Sequence, residues 1–235
     1  MNIKWRKRNL WLLFSSFGIL IVAAVGYWMY DYYAGNHIRI IEVIQEDAVD
    51  TAAASPAGGS GWDASLLDKQ WNIAEGSQVY FSVKTSIEAV AFSLSKIEGS
   101  WDFHLQEPSR MKAHATIDVT SLDSGNGSRD NDIRGSSYLN VSAYPNATFE
   151  LSSIEQWPDD RAAGEALTFK MNGALTVKGI TKNVQFDCKT KYENGQLKLS
   201  GQTVVTFGDF GMRNPHLLVL NTENNVKISF QLVLS

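Results

Sequence analysis

A period of two runs through most of this chain and constrains its fold more than any other feature. From Trp71 onward, apolar residues fall on every second position, as in Val79/Phe81/Val83, Val90/Phe92/Leu94, Met111/Ala113/Ala115/Ile117/Val119, Val184/Phe186/Cys188 and Val226/Ile228/Phe230/Leu232/Leu234. Lys112, His114, Asp118, Gln185, Asp187 and Lys227 fill the positions between. Successive side chains of a strand point to opposite faces, so this alternation specifies strands wet on one side and buried on the other, not helices of period 3.6. About eight to ten such strands can be counted, and they bury their apolar faces only against one another, as two stacked sheets or as one rolled sheet. Glu193-Asn194-Gly195 links two neighbours directly, which favours an antiparallel up-and-down order, and a rolled sheet has no exposed edges. The expectation is a mainly β domain, an antiparallel β-barrel. Gly173 and Gly201 take the inward phase of apolar strands, where a missing side chain either bends the strand or leaves interior room.

The N-terminus is built on another plan. Residues 1–9 are a basic head with Lys4, Arg6, Lys7 and Arg8, and residues 10–30 contain no charge. As a helix the uncharged run is about 31 Å long, close to the hydrocarbon thickness of a bilayer. Trp11, Tyr27, Trp28, Tyr30, Tyr32 and Tyr33 crowd its ends, where amphipathic rings favour the headgroup zone. Bases on the N-terminal side predict a single-pass cell-membrane anchor, N-terminus cytoplasmic and the rest extracytoplasmic. The bulky, aromatic residues 26–33 offer no small-x-small cleavage site, which favours an uncleaved signal-anchor over a cleaved signal peptide. Residues 31–61 read as a juxtamembrane strand or short helix followed by a flexible linker, DTAAASPAGGSG, and residues 62–235 as the barrel domain.

The chain carries 21 Lys and Arg against 25 Asp and Glu, and four of those bases precede the first acid, Asp31. An acidic remainder argues against nucleic acid as a partner. Cys188, the single cysteine, leaves no internal disulfide and no multi-cysteine metal site, and reads as an interior thiol in phase with Val184 and Phe186. The four histidines are scattered, and no nucleophile elbow, zinc-protease or dinucleotide motif is present, so neither an enzyme nor a metal or covalent cofactor is expected.

The run SLDSGNGSRDNDIRGSSYLNVSAYPNATFEL at 121–151, then GALTVKGITKNVQFD at 173–187 and GDFGM at 208–212, resembles the YceI family of bacterial extracytoplasmic proteins in order and spacing. Arg129-Asp130 opens a short helical insert, with Ser128 as its expected cap, Asp130 and Asp132 at its positive end, and Arg134-Gly135 as its stop. The resemblance implies a lipocalin-like barrel that encloses a polyisoprenoid or isoprenoid quinone as carrier, store or sensor. Its lining would come from the inward residues Phe81, Phe92, Trp101, Phe103, Ile117, Phe149, Phe169, Met171, Val177, Phe186 and Phe207. Two histidines of the family pattern are here Asp132 and Lys178, which removes any role resting on those imidazoles. The alternative is a packed barrel acting as a structural partner in an envelope assembly.

Overall fold

The structure, a computed structural model, describes residues 3–33, 35–44, 62–159, 165–215 and 222–235. The predicted linker at 50–61 lies outside them. Helix α1 (Ile3–Tyr33) precedes a short α2 (Ala64–Leu67) and strands β1 (Gln70–Asn72), β2 (Gln78–Thr85), β3 (Ala89–Leu94), β4 (Ile97–Asp102) and β5 (Lys112–Asp118). After α3 (Gly127–Arg134) come β6 (Asn146–Glu155), β7 (Leu167–Val177), β8 (Ile180–Glu193), β9 (Gln196–Thr206) and β10 (Thr222–Leu234).

All ten strands form one antiparallel sheet in the order β1-β4-β5-β6-β7-β8-β9-β10-β2-β3. The period of two is realised directly: Leu167, Phe169, Met171, Gly173 and Leu175 are the buried positions of β7, and Leu197, Leu199, Gly201 and Val205 those of β9. Two-residue turns with both residues at positive φ, Lys178-Gly179 and Asn194-Gly195, join β7 to β8 and β8 to β9, because that geometry matches the right-handed twist of the strands.

The edge-free barrel is corrected to a strongly curled sheet with two edges. Among the described residues, β1 and β3 share no ladder. The curl is closed by a seam instead: Trp71 of β1 pairs with Trp101 of β4, while Asn72 and Ser235 exchange backbone hydrogen bonds of 3.0 Å and Ile73 bridges Leu234. The edge of β3 is covered by a bridge from Ser93 to Asp123.

The seam end of the sheet is a solid floor. Leu67, Trp71, Trp101, Phe103, Leu105, Leu197 and Leu234 are all almost fully buried there. Trp71 Nε1 donates to the Leu67 carbonyl at 3.0 Å and Trp157 Nε1 to the Leu105 carbonyl at 3.1 Å, so indoles fill the floor without losing their hydrogen bonds. The other end carries α3, the 3₁₀ turn Phe207–Phe210 and the β2–β3 and β7–β8 turns.

Helix α1 occupies the predicted position. Among the described residues no helix is long and apolar enough to cross a membrane; the side chains of 10–15, part of the expected span, lie outside that description. Among the described residues of the juxtamembrane stretch, 35–44 form neither strand nor helix and lie beside the sheet. Asn36 Oδ1 accepts from Ala91 N at 3.2 Å, Val43 N donates to Gln231 Oε1 at 3.0 Å, and Ile44 is buried.

Candidate ligand site

Inward side chains of the curled sheet leave two narrow apolar voids one above the other. The deeper holds about 90 Å³ and is walled by Trp101, Ile117, Phe149, Met171, Phe186, Phe230 and neighbours. The upper holds about 110 Å³ and is walled by Phe81, Ile117, Val177, Phe207, Phe210 and Met212. Val79, Ile117, Leu175 and Ile228 border both, forming the partition. Above the upper void an open mouth of about 490 Å³ lies between Phe81, Phe92, Phe207, Tyr138, Arg129 and, from α1, Tyr32.

The predicted lining residues therefore divide into groups. Trp101, Ile117, Phe149, Met171 and Phe186 face the deep void, Phe81, Ile117, Val177 and Phe207 the upper one, and Phe92 the mouth, stacked on Phe81 with ring centroids 4.5 Å apart. Phe103 and Phe169 line neither void. They pack edge-on against Trp157 in the floor, at 5.8 and 5.0 Å.

Gly173 and Gly201 do provide interior room, but rings from other strands take it. A Cβ at Gly201 would stand 2.4 Å from Phe230 Cζ, and one at Gly173 would stand 2.3 Å from Phe149 Cζ. Phe149, Phe186 and Phe230 consequently form a row, with centroids 5.6 and 5.2 Å apart, across the deep void. Each void is smaller than the roughly 150 Å³ that admits a benzene molecule, so a long ligand fits only when these rings turn aside. Trp101 Nε1–H is buried and has no hydrogen-bond partner in the structure. Leaving such a donor unmet costs about 1–3 kcal/mol.

The polar insert is more deeply engaged than its composition suggests. Arg129 is 6% and Asp130 5% exposed. Asn126, not Ser128, caps α3, its Oδ1 accepting from Arg129 N at 3.1 Å. Asp130 turns away from the helix axis to accept from Ser124 N at 3.0 Å and Ser124 Oγ at 2.5 Å. The Arg129 guanidinium donates through Nε to Ser124 Oγ (2.9 Å), through Nη2 to the Ser124 carbonyl (3.0 Å), and through Nη1 to carbonyls of Asp31 (3.3 Å), Tyr32 (3.3 Å) and Gly35 (2.8 Å). Burial lowers its pKa, opposed by Asp130 and Asp31. Asp132 accepts the Tyr32 hydroxyl, and Asn126 Nδ2 donates to Asp31 Oδ2 at 2.6 Å. A sequence reading gives no sign of this grip, because its partners lie about a hundred residues away.

On the opposite rim Asp209 accepts from Thr206 N and Thr206 Oγ, both at 2.7 Å, which holds its carboxyl below the usual range. Lys178 sits in the positive-φ turn at φ 52°. Among the described residues no group of three or more His, Cys, Asp or Glu is placed to hold a metal ion.

A YceI-like domain model matches residues 71–234. A UPF0312 protein of Pectobacterium atrosepticum is 33% identical over 97 residues, 41% of this chain and 46% of its own length. A UPF0312 protein of Shewanella oneidensis is 30% identical over 121 residues, 49% of this chain and 60% of its own. The chain thus spans 46% to 60% of the length of these two curated relatives. Among solved structures, Burkholderia cenocepacia BcnA aligns with a TM-score of 0.57 at 22% identity, covering 67% of this chain and 95% of that one. A polyisoprenoid binding domain from Saccharophagus degradans, implicated in plant cell wall breakdown, aligns at 0.57 and 16% identity over 72% and 98%. With the antiparallel curled sheet and the helical insert in place, and a family model covering the sheet from β1 to β10, this chain belongs to the YceI family.

Proposed function

We propose that the chain is a membrane-anchored, extracytoplasmic binding protein that takes a long apolar lipid of the polyisoprenoid or isoprenoid-quinone type into its curled sheet. The observation that carries this reading is the stack of mouth, upper void and deep void, each sharing wall residues with the next and the inner two walled almost wholly by apolar side chains. Each buried methylene contributes about 0.8 kcal/mol, so a ligand filling the line recovers the cost of turning aside the Phe149, Phe186 and Phe230 rings. The unmet Trp101 N–H offers one donor to an acceptor at the ligand's leading end, such as a quinone carbonyl. The resemblance in fold to a polyisoprenoid binding domain supports the ligand class.

The anchor is supported by α1, in which Phe17, Ile19, Leu20, Val22, Val25 and Trp28 all stand exposed, a surface that calls for an apolar surrounding. The reading is tested by extracting the full chain, purified from its own membranes, with solvent and identifying the lipid by mass spectrometry. A stoichiometric isoprenoid is expected, and a lipid-free chain overturns it.

The smallness of the voids favours a second reading, a packed scaffold within an envelope assembly. That reading predicts no extractable lipid and a cross-linked protein neighbour that depends on outer-face residues.

A further inference from the structure

The C-terminal turn of α1 is bound to the mouth rather than merely joined to the domain by chain. The last carbonyls of a helix have no intrahelical donors and form the negative end of its dipole. Arg129 Nη1 donates to the carbonyls of Asp31 and Tyr32 in the last turn and of Gly35 just beyond it, Asp31 also accepting from Gly35 N at 3.2 Å, while Nε and Nη2 stay fixed on Ser124. The same cation therefore belongs to the helix and to the cap at once. Tyr30 Oη donates to Glu88 Oε1 at 3.1 Å, Tyr32 to Asp132, and Asn126 to Asp31, so acidic groups of this rim are turned to the helix end.

Among polar neighbours, the rim also presents large apolar side chains outward. Ile87 in the β2–β3 turn is 55% exposed, Ile180 at the start of β8 is 37% exposed, and Tyr144 beside the β7–β8 turn is 40% exposed. Tyr27 and Trp28, at the same end of α1, are exposed as well. Isolated exposed apolar residues are ordinary, but these share one rim with the end of an apolar helix, and Tyr32 of that helix walls the mouth.

We propose that this rim is a bilayer-docking surface: Arg129 latches the end of α1 to α3 so that the mouth opens against the lipid surface, and the isoprenoid passes from the bilayer past Tyr32 into the lumen without crossing water. The inference rests on the anchored-carrier reading and adds the orientation of the domain and the route of its ligand.

The test uses the full chain in vesicles of phosphatidylethanolamine and phosphatidylglycerol containing lipid-borne nitroxide. A thiol fluorophore is placed on Ile87→Cys or Ile180→Cys at the rim, and on Glu107→Cys, which is exposed at the floor end. The expected result is loss of most of the fluorescence at the rim positions and none at 107. Asp31→Ala combined with Tyr32→Phe removes the side-chain contacts to Asn126 and Asp132 from the anchor side, where it leaves the sheet intact, and should lower rim quenching part of the way toward that at 107; Arg129→Gln, which removes the guanidinium that holds the carbonyls of Asp31, Tyr32 and Gly35, should bring it down to that level. Rim labels that stay bright in a chain that resists carbonate extraction and still yields its lipid overturn the docking alone. Latch variants quenched like the parent also overturn it. A chain stripped off by carbonate overturns the anchor and this inference together, and a membrane-held chain without lipid, yet with quenched rim labels, overturns the carrier reading and the ligand route with it and leaves only the docked orientation.

Discussion

At Gly201 the lumen is sensitive to a single carbon. An added methyl group meets Phe230 at 2.4 Å and Cys188 Sγ at 2.9 Å, both rigidly held between strands. Gly201→Ala is expected to lose about 1–3 kcal/mol, as overpacked cores do, read as a lower urea midpoint with unchanged slope. Cys188 itself is held neutral: burial pushes its thiol well above the ordinary range, with the nearby Asp187 charge adding to the effect. A pKa raised by folding means that the unfolded chain releases the proton first, so the contribution to stability is intact below about pH 8.5 and falls as pH rises past it. Thiol reagents should leave the folded chain unmodified and react fully in denaturant. The inward phase of both residues is legible in the sequence. What fills the room beside the glycines is not, since Phe149 and Phe230 arrive from other strands in a register that periodicity does not specify.

Helix α3 shows how an element can be located by sequence and still be misread in its details. Its place between two strands and its stop at Arg134-Gly135 follow from composition, but its cap is Asn126 and not the expected Ser128. Asn126 prevails because its carbonyl oxygen serves Arg129 N while its amide serves Asp31. Asn126→Ala is therefore expected to cost about 1 kcal/mol, the usual value of a cap. Arg129→Ala removes the only cation in contact with the helix-end carbonyls described above and leaves Asp130 buried; about 3–5 kcal/mol is expected, as for other buried charges deprived of a partner. Thermal unfolding of the full chain measures both, and an Arg129→Ala loss no larger than that of Asn126→Ala would show the grip to be decorative. The hairpins were plainer: Asn-Gly at 194–195 demands a tight turn wherever it falls between two alternating runs.

For the molecule as a whole, one-sided strands in this number call for stacked sheets or one rolled sheet, so a curled antiparallel sheet is legible in the sequence, but its two edges are not. Nor is the capacity of its interior, because void volume depends on how rings from several strands interleave. Phe186 stands at the centre of that row, between Phe149 and Phe230. Phe186→Ala should open the deep void, cost about 3–5 kcal/mol of stability, and raise the amount or length of isoprenoid recovered by solvent extraction. Unchanged lipid content in a folded variant would show that the ligand does not descend so far. The seam was equally hidden, since three residues of β1 are too few to display a period. It has a temporal consequence: backbone bonds between Asn72 and Ser235 join the first strand to the chain beyond the tenth, so during synthesis the sheet remains an open ribbon until residue 235 emerges. Contacts this distant along the chain make for slow folding, and through that interval the nascent ribbon needs a chaperone or a sheltered site to keep its raw edges from pairing with strangers.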